Sequence, residues 1–274
     1  MDNRAIGVFD SGLGGLTAMR KLVEAMPNED IIYLGDNGRV PYGGRSRETV
    51  IRYAREDTDF LLRHNIKAVV VACGTVSTVA LDTVSSECPV PVFGVVEPTA
   101  WKAARVSRSG RIGIIGTKRS VASGAYDRAI LRFRPDAQLF SKACPLFVPL
   151  VEEGRVKRGD TVIETVVREY LAELRDARID TLLLGCTHYP LLSEVISDYM
   201  GGDVRLISAG EETAEYLIKK LRETDALASP EKRGSTNFYV TDNAEGFERL
   251  ASFFMGSDIS GRVKITSLEQ EKQP

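Results

Sequence analysis

Residues 5–15 read Ala-Ile-Gly-Val-Phe-Asp-Ser-Gly-Leu-Gly-Gly, an apolar run that ends in small and polar residues. An apolar run of about five residues bounded by turn-forming residues predicts a strand buried on both faces. The residues that follow have a helical pattern. The segment is therefore typical of the first strand, turn and helix of an α/β fold.

The same alternation continues along the chain. Between the apolar runs lie amphipathic stretches, such as residues 47–64, where Val50, Ala54 and Leu61 share one helical face. Buried strands separated by helices predict parallel sheets with helices on both faces. The predicted strands are 5–9, 30–34, 68–72, 90–96, 111–115, 181–184, 204–207 and 238–240.

Two segments recur in the second half of the chain. Residues 111–117 (Arg-Ile-Gly-Ile-Ile-Gly-Thr) resemble residues 5–11, and residues 182–187 (Leu-Leu-Leu-Gly-Cys-Thr) resemble residues 69–75, at offsets of 106 and 113. The repeat predicts two similar parallel-sheet α/β domains related by a pseudo-twofold axis, one carrying Cys73 and the other Cys186. We assign 1–97 plus 208–274 to the first domain and 98–207 to the second. The last fifty residues contain one clear strand and are expected to rejoin the first domain.

Composition excludes several classes of protein. The 274 residues are 43% apolar and 27% charged, as in ordinary globular proteins, and the net charge of -2 argues against a nucleic-acid partner. No apolar run approaches the roughly 18 residues of a membrane span, and the N-terminus lacks the pattern of a signal peptide. We expect a cytoplasmic protein, with a frayed polar tail over 269–274.

Cofactor and metal motifs are absent from the sequence. The four cysteines form no CxxC pair, there are two histidines, and neither HExxH nor GxxxxGK[ST] occurs. A dinucleotide fingerprint starting at Gly12 would need glycine at position 17, where the chain has Thr17. The sequence therefore predicts chemistry by side chains alone, with no metal and no cofactor.

Two cysteines occupy equivalent positions in the repeat. Cys73 and Cys186 each stand where an apolar strand ends and a helical pattern begins, and the free N–H groups there stabilise a thiolate. Either cysteine alone could be an ordinary buried residue. As a pair facing one cleft, they could remove a proton from one face of a carbon and return it to the other, which inverts a stereocentre.

Polar residues surround these strand ends. Asp10 could relay a proton or cap the next helix, and His188 could assist Cys186 or be a loop histidine. Glu152 and Glu153 alone favour a solvated pair. Small donors that could hold a substrate stand at Ser11, Gly43, Gly44, Gly74, Thr75, Thr187 and His188.

Five motifs together resemble the glutamate racemases of the cofactor-independent aspartate/glutamate racemase superfamily. They are residues 9–15, 40–43, 71–73, 144–150 and 184–191. The resemblance implies two α/β domains with the active site in the cleft between them. It also implies interconversion of L- and D-glutamate, with D-glutamate feeding bacterial peptidoglycan, and no pyridoxal phosphate or metal. Glutamate is the expected small-molecule partner, and we expect no nucleic acid and no membrane. Members of the family often form dimers, so the resemblance admits a homodimer.

The resemblance also implies roles for individual residues. Cys73 and Cys186 match the two catalytic bases, Asp10 matches the helper of the first base, and Glu152 and His188 match the helpers of the second. The positions that match substrate-binding residues are Asp10, Ser11, Pro41, Tyr42, Gly43, Gly74, Thr75, Thr187 and His188.

Two positions depart from the family pattern. Residues 208–210 are Ser-Ala-Gly, where many relatives carry an aspartate, at the junction of the two domains. The family usually has asparagine after the first cysteine, and this chain has Gly74. We expect Gly74→Asn to be tolerated, because the added amide could donate a hydrogen bond to the substrate. No arginine lies in the matched motifs, and the nearest is Arg39. Backbone N–H groups and hydroxyls are therefore expected to bind the side-chain carboxylate of glutamate.

Three other functions remain open from the sequence. A racemase for aspartate or another amino acid would share the same motifs. A ligand-binding homologue that has lost catalysis would keep the fold, and a redox-sensing protein would use Cys73 and Cys186 as a dithiol.

Overall fold

The computed structural model describes residues 1–268, so the tail over 269–274 lies outside the described residues. Within them the strands are β1 Ala5–Asp10, β2 Ile31–Gly35, β3 Ile66–Val71, β4 Val92–Gly94, β5 Arg111–Gly116, β6 Gln138–Ala143, β7 Thr181–Leu184, β8 Arg205–Ser208, β9 Thr236–Val240 and β10 Val263–Ile265. The helices are α1 Leu16–Ala25, α2 Arg47–Leu62, α3 Gly74–Val79, α4 Leu81–Glu87, α5 Val96–Val106, α6 Lys118–Ser123, α7 Ala125–Phe133, α8 Phe147–Glu152, α9 Thr161–Asp176, α10 Ser193–Met200, α11 Ala209–Glu223 and α12 Ala244–Met255. Short 3₁₀ helices cover Tyr42–Gly44 and Tyr189–Leu192.

The strands form two parallel sheets. The first has the order β10-β9-β2-β1-β3-β4 and the second has the order β6-β5-β7-β8. The second sheet has the same strand order as part of the first sheet, β2-β1-β3-β4. In both, the first strand of that half of the chain lies between the second and the third. The predicted α/β class with two similar parallel sheets is confirmed.

The strands form where the sequence is apolar on both faces. All residues of β1, β2 and β3 are buried, which is the burial expected when helices cover both sides of a parallel sheet. Polar caps begin several of the helices, for example Ser46, whose hydroxyl accepts from the Thr49 N–H at the start of α2. Because all the strands of each sheet run parallel, their carboxyl ends and the starts of the following helices lie at the same edge of the sheet.

Some predicted elements differ from the structure. The strand predicted over 90–96 is limited to β4, because Val96 already begins α5. The edge strand β6 was not predicted, since its residues are only partly buried and lack a clear apolar run. The prediction of one strand in the last fifty residues is wrong, because β10 follows β9. Both strands join the first sheet, as expected for a segment that rejoins the first half.

The last segment returns to the first half through α11. Its Gly210 packs so closely on α1 that a Cβ there would lie 2.9 Å from the Ala18 Cα. The boundaries at residues 97 and 207 and the pseudo-twofold axis remain proposals. No helix within residues 1–268 combines the length and apolar character that crossing a bilayer requires.

The two halves make a close backbone contact where β3 and β7 end. A Cβ built on Gly74 would lie 2.3 Å from the carbonyl oxygen of Gly185, much closer than real Cβ atoms approach an oxygen. The neighbouring group is backbone and cannot rotate away. The expectation that Gly74→Asn is tolerated conflicts with this contact, because in this chain a side chain at residue 74 requires the ends of the two strands to shift.

We predict that Gly74→Ala and Gly74→Asn each lower the free energy of unfolding by about 1–3 kcal/mol, the usual cost of overpacking a filled site. They should also raise KM for substrate, because Gly74 lines the cavity described below. Gly44→Ala is the matched control, since a Cβ at Gly44, in the same wall, meets nothing within 4 Å. Thermal melts and steady-state kinetics test the pair. Equal melting temperatures for Gly74→Ala and Gly44→Ala would contradict the steric argument.

Candidate active site

A cavity of about 490 Å³ opens between the two halves. It lies beyond the carboxyl ends of the central strands of both sheets, where parallel α/β folds bind ligands. The lining residues are Ser11, Gly12, Val40, Pro41, Tyr42, Gly43, Gly44, Cys73, Gly74, Thr75, Thr117, Lys118, Pro145, Val148, Pro149, Glu152, Cys186, Thr187 and His188.

Most of the residues predicted for the site line this cavity. Both cysteines do so, one from each half of the chain, together with Glu152 and His188. The predicted substrate-binding residues do as well, except that Asp10 is completely buried and lies behind the wall. The structure thus brings together residues that are more than a hundred positions apart in the sequence.

Cys73 lies at the N-cap position of α3, directly after β3. Its side chain is buried, and the Sγ lies 3.8 Å from the Ser11 Oγ. Burial and the nearby charge of Asp10 raise the pKa of the Cys73 thiol to about 12. Cys73 is therefore a thiol at neutral pH.

Cys186 has a different environment, because it belongs to a chain of three side chains. The His188 Nδ1 lies 3.9 Å from the Cys186 Sγ, and the His188 Nε2 lies 2.9 Å from the Glu152 Oε1. Burial alone would lower the pKa of His188, but the hydrogen bonds to Cys186 and Glu152 outweigh it and raise this pKa to about 10. At neutral pH the ring is an imidazolium that can donate to both partners.

Glu152 and Glu153 were expected either to be a solvated pair or to include a residue that assists Cys186, and the contacts of Glu152 distinguish these interpretations. Glu152 ends α8 and faces His188, so a solvated pair does not describe it. Glu153 is exposed, as that interpretation expected.

Asp10 lies at the junction of the two halves. Its Oδ1 accepts from the Gly12 N–H at 3.0 Å, and its Oδ2 accepts from the Thr187 hydroxyl at 3.3 Å. Asp10 is not the N-cap residue of α1, which is Gly15, but its carboxyl group also has a hydrogen bond from the Gly15 backbone N–H. Burial raises the pKa of the Asp10 carboxyl, although the charge of His188 and these hydrogen bonds lower it.

Several cavity residues were not predicted. Thr117 follows β5 as Ser11 follows β1, so the internal repeat contained the signal that could have identified it. The Thr117 Oγ1 lies 3.1 Å from the Thr75 Oγ1 and thus links the two halves. Pro145, Val148 and Pro149 belong to a motif that the sequence analysis quoted without assigning them to the site. Lys118 had no signal in the sequence.

Arg39 faces away from the cavity. Its guanidinium pairs with the buried carboxylates of Asp36 and Asp57 and with Glu56. The Tyr42 hydroxyl donates to Asp36, so this network fixes the segment that carries Pro41 and Tyr42 into the cavity wall. Arg39 is therefore occupied by protein carboxylates.

Within the described residues, the reactive groups of the site are free thiols and not metal ligands. All four cysteines of the chain are free, including Cys73 and Cys186. Among residues 1–268, no three His, Cys, Asp or Glu side chains are grouped as metal ligands. The cavity can therefore present two thiols, an imidazolium–carboxylate pair and one lysine to a small polar molecule.

Comparison with known proteins agrees with this geometry. Residues 6–217 match the Asp/Glu/hydantoin racemase family. A glutamate racemase from Geobacter metallireducens is 46% identical over 270 residues, which cover 98% of this chain and 99% of that protein.

Solved structures are similar over nearly the whole chain. A glutamate racemase isoform from Bacillus anthracis has a TM-score of 0.92 at 38% identity, with 98% of this chain and 99% of that one covered. A glutamate racemase from Francisella tularensis in complex with D-glutamate has a TM-score of 0.90 at 36% identity, with the same coverage. These similarities confirm the resemblance found in the motifs, and the chain belongs to the Asp/Glu/hydantoin racemase family and, within it, to the glutamate racemases.

Proposed function

We propose that this protein interconverts L- and D-glutamate by proton transfer between the substrate α-carbon and two cysteines. The observation that supports it most directly is one cavity lined by Cys73 from the first half and Cys186 from the second. The similar proteins named above are glutamate racemases, and one of them holds D-glutamate. The D-glutamate formed would serve peptidoglycan synthesis in the cytoplasm. The family resemblance also admits a homodimer.

The reaction needs one base and one acid on opposite faces of the α-carbon. Cys186, whose Sγ lies 3.9 Å from the His188 Nδ1, acts as a thiolate and removes the α-proton of L-glutamate. The Cys73 thiol, kept protonated by burial, then donates its proton to the other face of the carbanion. The products are D-glutamate, a Cys186 thiol and a Cys73 thiolate, and the reverse steps convert D-glutamate to L-glutamate.

The surrounding residues lower the cost of forming the carbanion. Asp10 supports the Cys73 side of the site, and Glu152 holds His188 in its protonated form through the 2.9 Å contact. Backbone N–H groups and hydroxyls in the wall would bind and orient the substrate carboxylates. The residues proposed to contact the substrate are Ser11, Pro41, Tyr42, Gly43, Gly74, Thr75, Thr187 and His188.

The assay that tests this function uses the purified protein without additions. It is incubated separately with L-glutamate and with L-aspartate, and the products are separated on a chiral column. Formation of D-glutamate with little D-aspartate supports the proposal. Turnover of aspartate alone would replace glutamate as the substrate, and no product from either would contradict racemisation.

We predict that Cys73→Ser and Cys186→Ser each lower racemisation by about 10²–10⁴-fold, because a hydroxyl is a far poorer base than a thiolate. Each variant should keep the proton abstraction that its remaining cysteine performs. With an analogue that eliminates a leaving group after deprotonation, only the abstracting base is needed. Cys73→Ser should then still act on the L-form and Cys186→Ser on the D-form.

Elimination of each enantiomer, followed by ultraviolet absorbance of the product, measures this handedness. Cys88→Ser is the control, since Cys88 lies outside the cavity. Near-normal racemisation by either active-site variant would exclude two-thiol catalysis. Reversed handedness would exclude only the assignment of faces.

We also predict that Glu152→Gln moves the alkaline loss of activity to lower pH. Glu152 helps to raise the pKa of His188 to about 10, so removing its charge lets the imidazolium lose its proton earlier. Profiles of kcat/KM from pH 6 to pH 10 for wild type and variant give the shift. The amino group of glutamate titrates identically in both, so the difference belongs to the enzyme. An unchanged alkaline limb would contradict the role of Glu152.

A further inference from the structure

Lys118 differs from the other charged residues of the cavity wall. Of the lining residues, Lys118 and His188 are the two that carry a basic side chain. His188 already pairs with Glu152. Among residues 1–268, the Lys118 ammonium group has no carboxylate within ion-pair distance and no hydrogen-bond acceptor. The cavity wall thus contains one unneutralised positive charge.

The backbone on both sides of Lys118 is fixed to the other half of the chain. Thr117 caps α6 by accepting from the Ser120 N–H, and its hydroxyl contacts Thr75. The Arg119 guanidinium Nε donates to the carbonyl oxygen of Arg45 at 2.8 Å. Lys118 lies between these two contacts, so its backbone is held at the cavity while its side chain remains exposed and uncommitted.

The proposed substrate carries the negative charge that could pair with the Lys118 ammonium group. Glutamate carries two carboxylates and one ammonium group, whereas Glu152 is the one carboxylate of the lining and is already paired. The thiols are buried, so the α-carbon must lie at the floor of the cavity, and Lys118 lies at its exposed edge. A flexible lysine there can reach a carboxylate of a substrate held between the sulfur atoms.

We propose that Lys118 is a substrate-binding residue that neutralises a carboxylate of glutamate. This adds a charged side chain to the backbone N–H groups and hydroxyls that are expected to bind the carboxylates. The proposal rests on the function proposed above. It assigns to Lys118 a part in affinity and in the preference for an acidic amino acid, and none in proton transfer.

Steady-state kinetics of four proteins test this role: wild type, Lys118→Met, Lys118→Arg and Lys219→Met. Lys118→Met should raise KM for both enantiomers by about tenfold or more, as expected when a charge-assisted contact is lost, with kcat changed less than about threefold. Lys118→Arg should restore most of the affinity. Lys219→Met is the control, because Lys219 is an exposed lysine of α11 outside the cavity.

Salt dependence separates a charge contact from a structural effect. KM of the wild type should rise between about 0.05 and 0.5 M sodium chloride, and that of Lys118→Met should rise much less. A KM within about twofold of wild type in Lys118→Met, or an equal loss in Lys118→Arg, would overturn the proposal. Failure of the wild type to racemise glutamate would instead refute the function itself.

Discussion

The close approach of two backbones, at Gly74 and Gly185, is the constraint on which the site depends. Parallel sheets direct their strand ends toward ligands, but each sheet by itself supplies only one thiol. A carbon atom can lie between two thiols only if the two strand ends come together. In this chain Gly74 is part of that approach, since a Cβ there would meet the Gly185 oxygen at 2.3 Å unless the strand ends shifted. The Asp10–Thr187 and Thr75–Thr117 contacts then link the halves around the cavity.

Burying charged groups between the two halves of the chain costs free energy, which hydrogen bonds from the surrounding residues must offset. Burial disfavours the charged forms of Asp10, His188 and the thiols. Asp10 is compensated by hydrogen bonds from the Gly12 N–H and the Thr187 hydroxyl. His188 is compensated by Glu152, which the short helix α8 carries to the cavity. The same groups that hold the two halves together therefore also set the protonation of the site.

Much of this arrangement could be predicted from the sequence. The paired segments at residues 5–11 and 111–117 predicted two sheets of one design, and the cysteine at each strand end predicted a cavity with two thiols. The partly buried strand β6 and the short β10 were missed because their residues lack the apolar runs of buried strands. Lys118 was missed for a different reason, since its place in the wall follows from how the halves pack and from no local pattern.

Gly74 illustrates why a motif comparison cannot replace coordinates. In the sequence, the change from asparagine to glycine was a lost hydrogen bond that a substitution could restore. In the structure, the same glycine contacts the opposite backbone, so restoring the side chain would move the strand ends. Residue 74 thus has two roles, as a lining residue of the cavity and as a packing contact with Gly185. The motif comparison indicated the first role, and the coordinates were needed to find the second.

The electrostatic difference between the two thiols is compatible with a reaction that favours neither enantiomer. Racemisation ends at equal amounts of both forms, so kcat/KM must be the same in the two directions whatever the protein does. The protein still determines where the proton rests when the cavity is empty. A buried Cys73 beside Asp10 retains its proton, whereas the Cys186 Sγ lies 3.9 Å from the Nδ1 of the His188 imidazolium. In the mechanism proposed above, each turnover from L- to D-glutamate leaves the thiolate at Cys73 and the proton on Cys186. The enzyme must then exchange protons or convert a D-glutamate before it can act on another L-glutamate.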